Sequence, residues 1–215
     1  MARLEFDIDE HSYDLFFSPI REKRQIIILL MESIKYMLID SQFDKTLIKG
    51  KMILNKTEKE TRLFFQDTNK LYSINFPFTF ENKENNFLIK YNKMTINNRI
   101  TSDVKGLFSC EDKFTSCSPD DFIDSVFEFE DHNYIYDIWG LTKFLMLHED
   151  GYIRYDYDKE NEDGKIHPLN HYDVCYTNSA TFKIGLYDNI ELNHFEDLLN
   201  KTTNCHYIEK ADRYK

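Results

Sequence analysis

Ionisable side chains recur at every second position in three segments of the last third of the chain. These segments are 153–158 (IRYDYD), 171–176 (HYDVCY) and 182–186 (FKIGL). Side chains of a β-strand point alternately to its two faces, so each segment has one apolar face and one polar face. If the three strands pair with their apolar faces together, the opposite face collects six ionisable groups: Arg154, Asp156, Asp158, His171, Asp173 and Lys183.

Such a polar face has the groups needed for general acid–base catalysis. Asp156 or Asp158 would form the acid–base pair with His171, and Arg154 or Lys183 would stabilise an anion. These groups suit a metal-independent ribonuclease, whereas a solvated sheet face held by cross-strand ion pairs would use the same residues structurally. We therefore take Arg154, Asp156, Asp158 and His171 as candidate catalytic residues, and His167, Asp173 and Lys183 as candidate binding residues.

The sequence gives little support for a metal site or a cofactor. His167 and His171 are four residues apart, but Pro168 favours an extended conformation at His167. In an extended segment the two imidazoles would lie roughly 13 Å apart, at about 3.3 Å per residue. The acidic loop 156–167 has Asn161 where a calcium loop needs glycine, and it ends in histidine instead of glutamate. We predict no stoichiometric zinc and no cofactor.

The cysteines are widely and irregularly spaced, and no C-x-x-C pair occurs. This spacing does not support a zinc ribbon or a thioredoxin-like site. We predict four reduced and mostly buried thiols at Cys110, Cys117, Cys175 and Cys205.

The charge balance disfavours nucleic-acid binding through a broad basic surface. The chain has 27 Lys and Arg against 38 Asp and Glu, a net charge of -11. The first residues are acidic where a secretory signal would be apolar, and the longest apolar run, Ile26–Met31, is too short to span a bilayer. These features predict a cytoplasmic protein that does not bind membranes.

The pattern of elements predicts one α+β domain over residues 1–215, with sub-lobes 1–117 and 118–215 as an alternative division. We expect an antiparallel sheet, built as a curled meander, with two to three flanking helices. The N-terminal residues 1–17 are expected to form an extended arm. Alternation and β-propensity predict strands at 51–55, 62–66, 70–76, 87–91, 94–100 and 134–139.

Capping signals predict where the helices begin. Ser18-Pro19 and Ser118-Pro119 are expected to open two helices, and Asn193 a short closing helix. Asp150-Gly151 is expected to form a hairpin turn. Seven side chains should be buried on one sheet face: Ile153, Tyr155, Tyr157, Tyr172, Val174, Phe182 and Ile184. On the other face, Arg154, Asp156 and His171 should lie within reach of one another.

Two short motifs in this region resemble an uncharacterised prokaryotic domain family. They are R-Y-D-Y-D at 154–158 and H-P-x-x-H at 167–171, followed by a short strand and a closing helix. The resemblance covers roughly the last third of the chain and departs from the family pattern at Tyr172-Asp173. The motif residues are Arg154, Asp156, Asp158, His167, Pro168 and His171.

The resemblance implies a cytoplasmic bacterial protein encoded near mobile-element, toxin–antitoxin or antiphage genes. It carries no assigned activity. It favours a protein-binding or regulatory component of a defence or toxin–antitoxin module, with a protein partner. The alternative is a metal-independent nuclease-like toxin that uses the face formed by Arg154, Asp156, Asp158 and His171.

Overall fold

The main sheet is antiparallel and has seven strands in the order β1-β2-β3-β4-β8-β9-β10. The structure is a computed structural model that describes residues 2–39, 45–83, 86–109, 126, 132–164, 166–177 and 182–208. The strands are β1 (Ala2–Asp9), β2 (Ile48–Lys56), β3 (Thr61–Gln66), β4 (Lys70–Asn75), β8 (Ile153–Tyr157), β9 (Asn170–Val174) and β10 (Lys183–Leu186). A second sheet has three strands: β5 (Thr79–Lys83), β6 (Asn86–Tyr91) and β7 (Met94–Ile96).

Five α-helices lie in the described part of the chain, more than the two or three expected. They are α1 (Tyr13–Phe17), α2 (Lys23–Leu38), α3 (Asn98–Ser109), α4 (His132–Leu147) and α5 (Leu192–Leu198). The fold is α+β, as predicted. The seven-stranded sheet takes strands from both suggested sub-lobes, because β8 pairs with β4.

Each face of the main sheet packs against different helices. On one face, Phe65 and Tyr72 belong to a large core that includes Phe16 of α1 and much of α2. On the other face, Phe64 and Tyr155 pack with the fully buried Phe195 of α5. The expected closing helix is present, although Glu191 occupies its N-cap position and Asn193 lies inside the helix.

The long helix α2 begins later than Ser18-Pro19 suggested. Ser18 is the C-cap of the short helix α1. Glu22 caps α2 and forms a capping box with Gln25, a reciprocal pair of hydrogen bonds that satisfies free backbone N–H groups. The residues between the two helices, including Pro19, are left to form a connection at the surface. The second expected helix start, at Ser118, lies outside the described residues.

Two predicted strands are helices. The aromatic run 134–139 lies within α4, where Ile135, Ile138 and Leu141 are buried at helical spacing. Packing of this stripe outweighs the strand propensity of the aromatic residues. The strand predicted at 94–100 ends at Ile96, and α3 follows because the Asn97 side chain accepts a hydrogen bond from the Ile100 backbone N–H at 3.0 Å.

Three further local predictions fail: at the N-terminus, at β5 and at Asp150-Gly151. The N-terminal arm contains β1, paired with β2 at a sheet edge, and the helix α1. The strand β5 was not predicted. Asp150-Gly151 joins helix α4 to β8, so it is not a hairpin turn; Gly151 has φ 54°, a left-handed conformation that glycine adopts easily.

The predicted apolar face is buried at its centre and open at its edges. Of the seven side chains predicted to be buried, only Tyr155 is. Four others are only partly buried: Ile153, Tyr172, Val174 and Ile184. Tyr157 and Phe182 are exposed, at 38% and 66%, because Tyr157 ends β8 and Phe182 precedes the edge strand β10. Among the described residues, no helix combines the length and the apolar character needed to cross a membrane.

Candidate functional site

Two cross-strand rows bring the predicted polar residues together. In the first row, Tyr72 of β4 lies opposite Arg154, which lies opposite Asp173, which lies opposite Lys183. In the second row, Lys70, Asp156, His171 and Gly185 follow one another across the same strands. Opposite residues project from the same face of a sheet. The polar cluster, defined here as Arg154, Asp156, His171, Asp173 and Lys183, therefore shares the face of Tyr72 and the large core.

Arg154 links the two carboxylates of the polar cluster. Its Nε donates to Asp156 Oδ2 at 2.6 Å, and its Nη2 donates to Asp173 Oδ2. Its Nη1 lies 3.3 Å from the hydroxyl oxygen of Tyr152. Burial alone would lower the pKa of Arg154, but the neighbouring Tyr152, Asp156 and Asp173 raise it above its ordinary value. The guanidinium is a permanent cation that fixes both acids in place.

His171 is fully buried, and each of its two ring nitrogens has a contact. Nδ1 lies 2.7 Å from the carbonyl oxygen of Pro168, which can only accept, so Nδ1 carries the proton and donates. Nε2 lies 2.9 Å from Nζ of Lys183, and it accepts from that ammonium with its lone pair. Burial lowers the pKa of His171, and the charge of Lys183 adds to this effect. The contacts describe a neutral imidazole.

Lys183 completes the cluster from the edge strand. Its Nζ contacts Asp173 Oδ1 at 3.0 Å and Oδ2 at 3.2 Å, in addition to His171. Asp173 is almost fully buried and is held by both Lys183 and Arg154. With His171 neutral, two cations balance two carboxylates, so the cluster has no net charge.

A separate carboxylate–imidazole pair lies beside the polar cluster. His167 Nε2 is 3.2 Å from Asp158 Oδ2, and each of these side chains is 24% exposed. Partial burial would raise the pKa of Asp158, but hydrogen bonds from Asn161 and the nearby His167 outweigh it and lower the pKa. The two side chains are partly exposed, although the Nε2 atom of His167 is itself buried and makes no hydrogen bond, whereas His171 is fully buried.

Four members of the polar cluster line one cleft of about 860 Å³ together with Asp158 and His167: Arg154, Asp156, Asp173 and Lys183. His171 lies beneath the surface of this cleft, because it is fully buried. Its floor is the polar face of β8, β9 and β10. Its opposite wall comes from the connection between α1 and α2, including Pro19, Ile20 and Arg21. The hydroxyl of Tyr72 donates to the carbonyl oxygen of Phe16, which ties the end of α1 to β4 and so places this wall.

The Asp150 carboxylate accepts hydrogen bonds from two side chains near one end of the cleft. Lys23 Nζ and the Tyr176 hydroxyl each donate to the Asp150 carboxylate at 2.5 Å. Burial and the hydrogen bond to Asp150 raise the pKa of Tyr176, so it stays a neutral donor. These two hydrogen bonds connect the loop before β8 to the start of α2 and to the segment that follows β9.

The sequence analysis correctly predicted most of the polar side chains that lie together, and the structure differs from it in three points. Arg154, Asp156, His171, Asp173 and Lys183 are together, and Arg154, Asp156 and His171 are within reach, as predicted. Asp158, however, pairs with His167 instead of His171.

The predicted separation of the two histidines is wrong. The ring centroids of His167 and His171 are 4.8 Å apart, because the chain turns at Pro168 and does not remain extended. Tyr176 was expected on the apolar face, but it packs against the opposite core. Cys175, with φ 66°, ends the alternation just before it.

The sequence analysis did not identify some of the residues that line the cleft, although the position of one of them could have been predicted from the sequence. Tyr152 precedes Arg154 by two residues, so the same alternation predicts its side of the sheet. The residues of the opposite wall left no local signal. Cys175 and Cys205 are exposed, not buried, while Cys110 and Cys117 lie outside the described residues.

One subset of the cluster has the composition of a cation site. Ligand atoms of Asp156, His171 and Asp173 all lie within 4.8 Å of one another.

No family model, no curated protein and no solved structure matches the chain. The family resemblance of segments 154–158 and 167–171 therefore stays a prediction, and functional arguments depend on the site itself.

Proposed function

We propose that the cleft is the active site of an acid–base enzyme that cleaves a phosphodiester of a short RNA segment. The observation that carries this proposal is the partly exposed Asp158–His167 pair, which lies in the same cleft as the cations Arg154 and Lys183. Groups of this kind that converge in a cleft are a common signature of acid–base sites.

His167 supplies the acid–base function. Because its Nε2 faces Asp158, Nδ1 is the nitrogen left for a substrate proton. Nδ1 accepts the proton of a ribose 2′-hydroxyl, the 2′-oxygen attacks phosphorus, and the 5′-oxygen leaves and takes a proton from solvent. Asp158 stabilises the imidazolium that forms. His171 is buried against Lys183, so it acts as a positioning residue for that ammonium.

Arg154 and Lys183 offer positive charge to the phosphate. Both contact Asp173, so the two cations are held close together and need little reorganisation when the substrate binds. The volume of about 860 Å³ suits one or two nucleotides, since small-molecule pockets have about 300–1,000 Å³. The net charge of -11 favours such a short substrate over long nucleic acid.

The proposal is tested by incubating the purified protein with a short fluorescent RNA in EDTA near neutral pH. We expect cleavage by the unmodified protein and a loss of about 100-fold or more in His167→Gln, because general acid–base catalysis contributes about 10²–10⁴-fold. His206→Gln is the matched control, since His206 contacts Asp197 at 2.7 Å outside the cleft. Absence of RNA cleavage, or full activity in His167→Gln, contradicts the proposal.

A second candidate function is protein binding, in a regulatory component of a defence or toxin–antitoxin module. It is supported by β10, which is an edge strand flanked by the exposed Phe182 and Tyr187. An edge strand can pair with an extended segment of a partner. Co-expression with the product of the adjacent gene tests it. A complex that forms with the unmodified chain and is lost in Phe182→Asp supports this function, and failure of the two products to associate contradicts it.

A further inference from the structure

The ammonium of Lys183 contacts two of the three side chains that together have the composition of a metal site. Its Nζ is 2.9 Å from His171 Nε2 and 3.0 Å from the nearer oxygen of Asp173. Asp156 Oδ2 lies 3.7 Å from the same His171 nitrogen. These three side chains form a cage, and two of them, His171 and Asp173, already contact a cation that the chain itself provides.

From this geometry we propose that Asp156, His171 and Asp173 form a site for a zinc-like divalent ion, which takes the place of the Lys183 ammonium. The proposal goes beyond the acid–base function and does not depend on it. None of the preceding catalytic steps uses an ion, and the proposal replaces the expectation from the sequence that no zinc binds.

The three ligand atoms could bind such an ion after the side chains move closer together. His171 Nε2 is 3.7 Å from Asp156 Oδ2 and 4.0 Å from Asp173 Oδ2. Ligands about 2.1 Å from a tetrahedral zinc ion are about 3.4 Å apart. All three ligand atoms lie within 4.8 Å of one another, so the two His171 pairs must approach by several tenths of an ångström and the carboxylate pair by up to about 1.4 Å. Side chains on adjacent strands can make such movements.

The imidazole of His171 has the tautomer that a metal ligand needs. Its Nδ1 donates to the Pro168 carbonyl oxygen, which leaves the Nε2 lone pair directed into the cage. Metal-binding histidines are held in this way by a carbonyl or carboxylate behind the ring. Arg154 donates to Oδ2 of both carboxylates and so holds them in position beside the cage, and Oδ1 of each is the oxygen that does not contact Arg154. One nitrogen with carboxylate oxygens favours first-row ions such as zinc, cobalt or manganese over magnesium.

Lys183 provides the entry path. It is on the edge strand β10, its side chain is 18% exposed, and it lines the cleft. His171 and Asp173 are buried, so an ion reaches them from the cleft only when the lysine swings towards solvent. The ammonium therefore competes with the metal, and removing it should strengthen metal binding.

Titration with Co²⁺, followed by its visible absorption and by calorimetry, tests the proposal. We expect the unmodified protein to bind one Co²⁺ per chain, Lys183→Ala to bind at least 10-fold more tightly, and Zn²⁺ to displace Co²⁺ whereas Mg²⁺ does not. Asp156→Asn and His171→Gln should each weaken binding at least 10-fold. Circular dichroism establishes that each variant is folded, and the partly exposed Asp156→Asn decides the outcome if His171→Gln fails to fold.

Two controls separate this site from other His–Asp pairs. Asp197→Asn removes the pair with His206, and His167→Gln removes the pair in the cleft; neither should change Co²⁺ affinity. His167→Gln should lose RNA cleavage while it keeps Co²⁺ binding, so each proposal can fail alone. Absence of stoichiometric Co²⁺ in the unmodified protein, unchanged affinity in Lys183→Ala, or full binding in Asp156→Asn overturns the inference.

Discussion

At the residue scale, the contacts of each histidine decide what it can do. His171 donates from Nδ1 to Pro168 and accepts at Nε2 from Lys183, so neither nitrogen is available to a substrate while the lysine is in place. His167 has its Nε2 beside the Asp158 carboxylate, and its side chain is partly exposed. The alternation in the sequence suggested His171 as the acid–base group, and the burial of His171 is the reason we propose His167 for that role instead.

His148 makes the stability of the fold depend on pH. Burial lowers its pKa below 6.5, and the ammonium of Lys23 adds to the effect. The unfolded chain then binds the proton more tightly than the folded chain, so acid favours unfolding. This contribution to stability is present above about pH 6.5 and is lost as the pH falls through that value towards the lower folded pKa.

Melting curves at several pH values test the role of His148. Between neutral pH and about pH 5.5, we expect the Tm of His148→Asn to fall less than that of the unmodified protein, because one lowered histidine pKa is removed. His206→Asn controls for the loss of an exposed histidine. Identical Tm losses in His148→Asn and the unmodified protein would refute this role.

At the scale of elements, the period-2 segments were predicted well because their faces differ so clearly in polarity. β8, β9 and β10 lie within two residues of the predicted bounds. The turn from His167 to His171 was not predicted, because what holds it lies on another strand. Gly185 is opposite His171, and a Cβ atom at Gly185 would lie 2.8 Å from Cγ of Pro168. The missing side chain lets Pro168 pack onto the sheet.

Gly185→Ala should therefore disturb the turn and the polar cluster together. A methyl group there pushes Pro168 away, and Pro168 supplies the acceptor for His171 Nδ1. We expect a loss of about 1–3 kcal/mol in the free energy of unfolding, typical of overpacking. Chemical denaturation measures it, with Gly164→Ala as control because a Cβ atom there meets nothing within 4 Å. Equal stability of the two variants would show that Pro168 can move aside freely.

At the scale of the whole molecule, the cleft joins parts of the chain that are far apart in sequence. The residues of its floor can be predicted from local alternation in the sequence. The position of its opposite wall, which includes Tyr13 and Arg21, depends on how α1 packs on β4. A hydrogen bond from Tyr13 to Asp67 at 2.6 Å helps to hold that wall, and burial with this bond raises the pKa of Tyr13 to about 12. Single-sequence patterns carry no information about such tertiary contacts. They did provide the fold class, since that depends on element types.

The central claim is that the sheet holds Arg154 and Asp173 together in one interacting network beneath the cleft. A double-mutant cycle of Arg154→Met and Asp173→Asn, followed by chemical denaturation, measures their coupling. We expect a coupling free energy of about 1–3 kcal/mol, as for buried residues in direct contact. The control cycle, Arg99→Met with Asp103→Asn, concerns an exposed pair at 3.7 Å and should give about 0.3–0.5 kcal/mol. A coupling between Arg154 and Asp173 no larger than that of the control would contradict the claim.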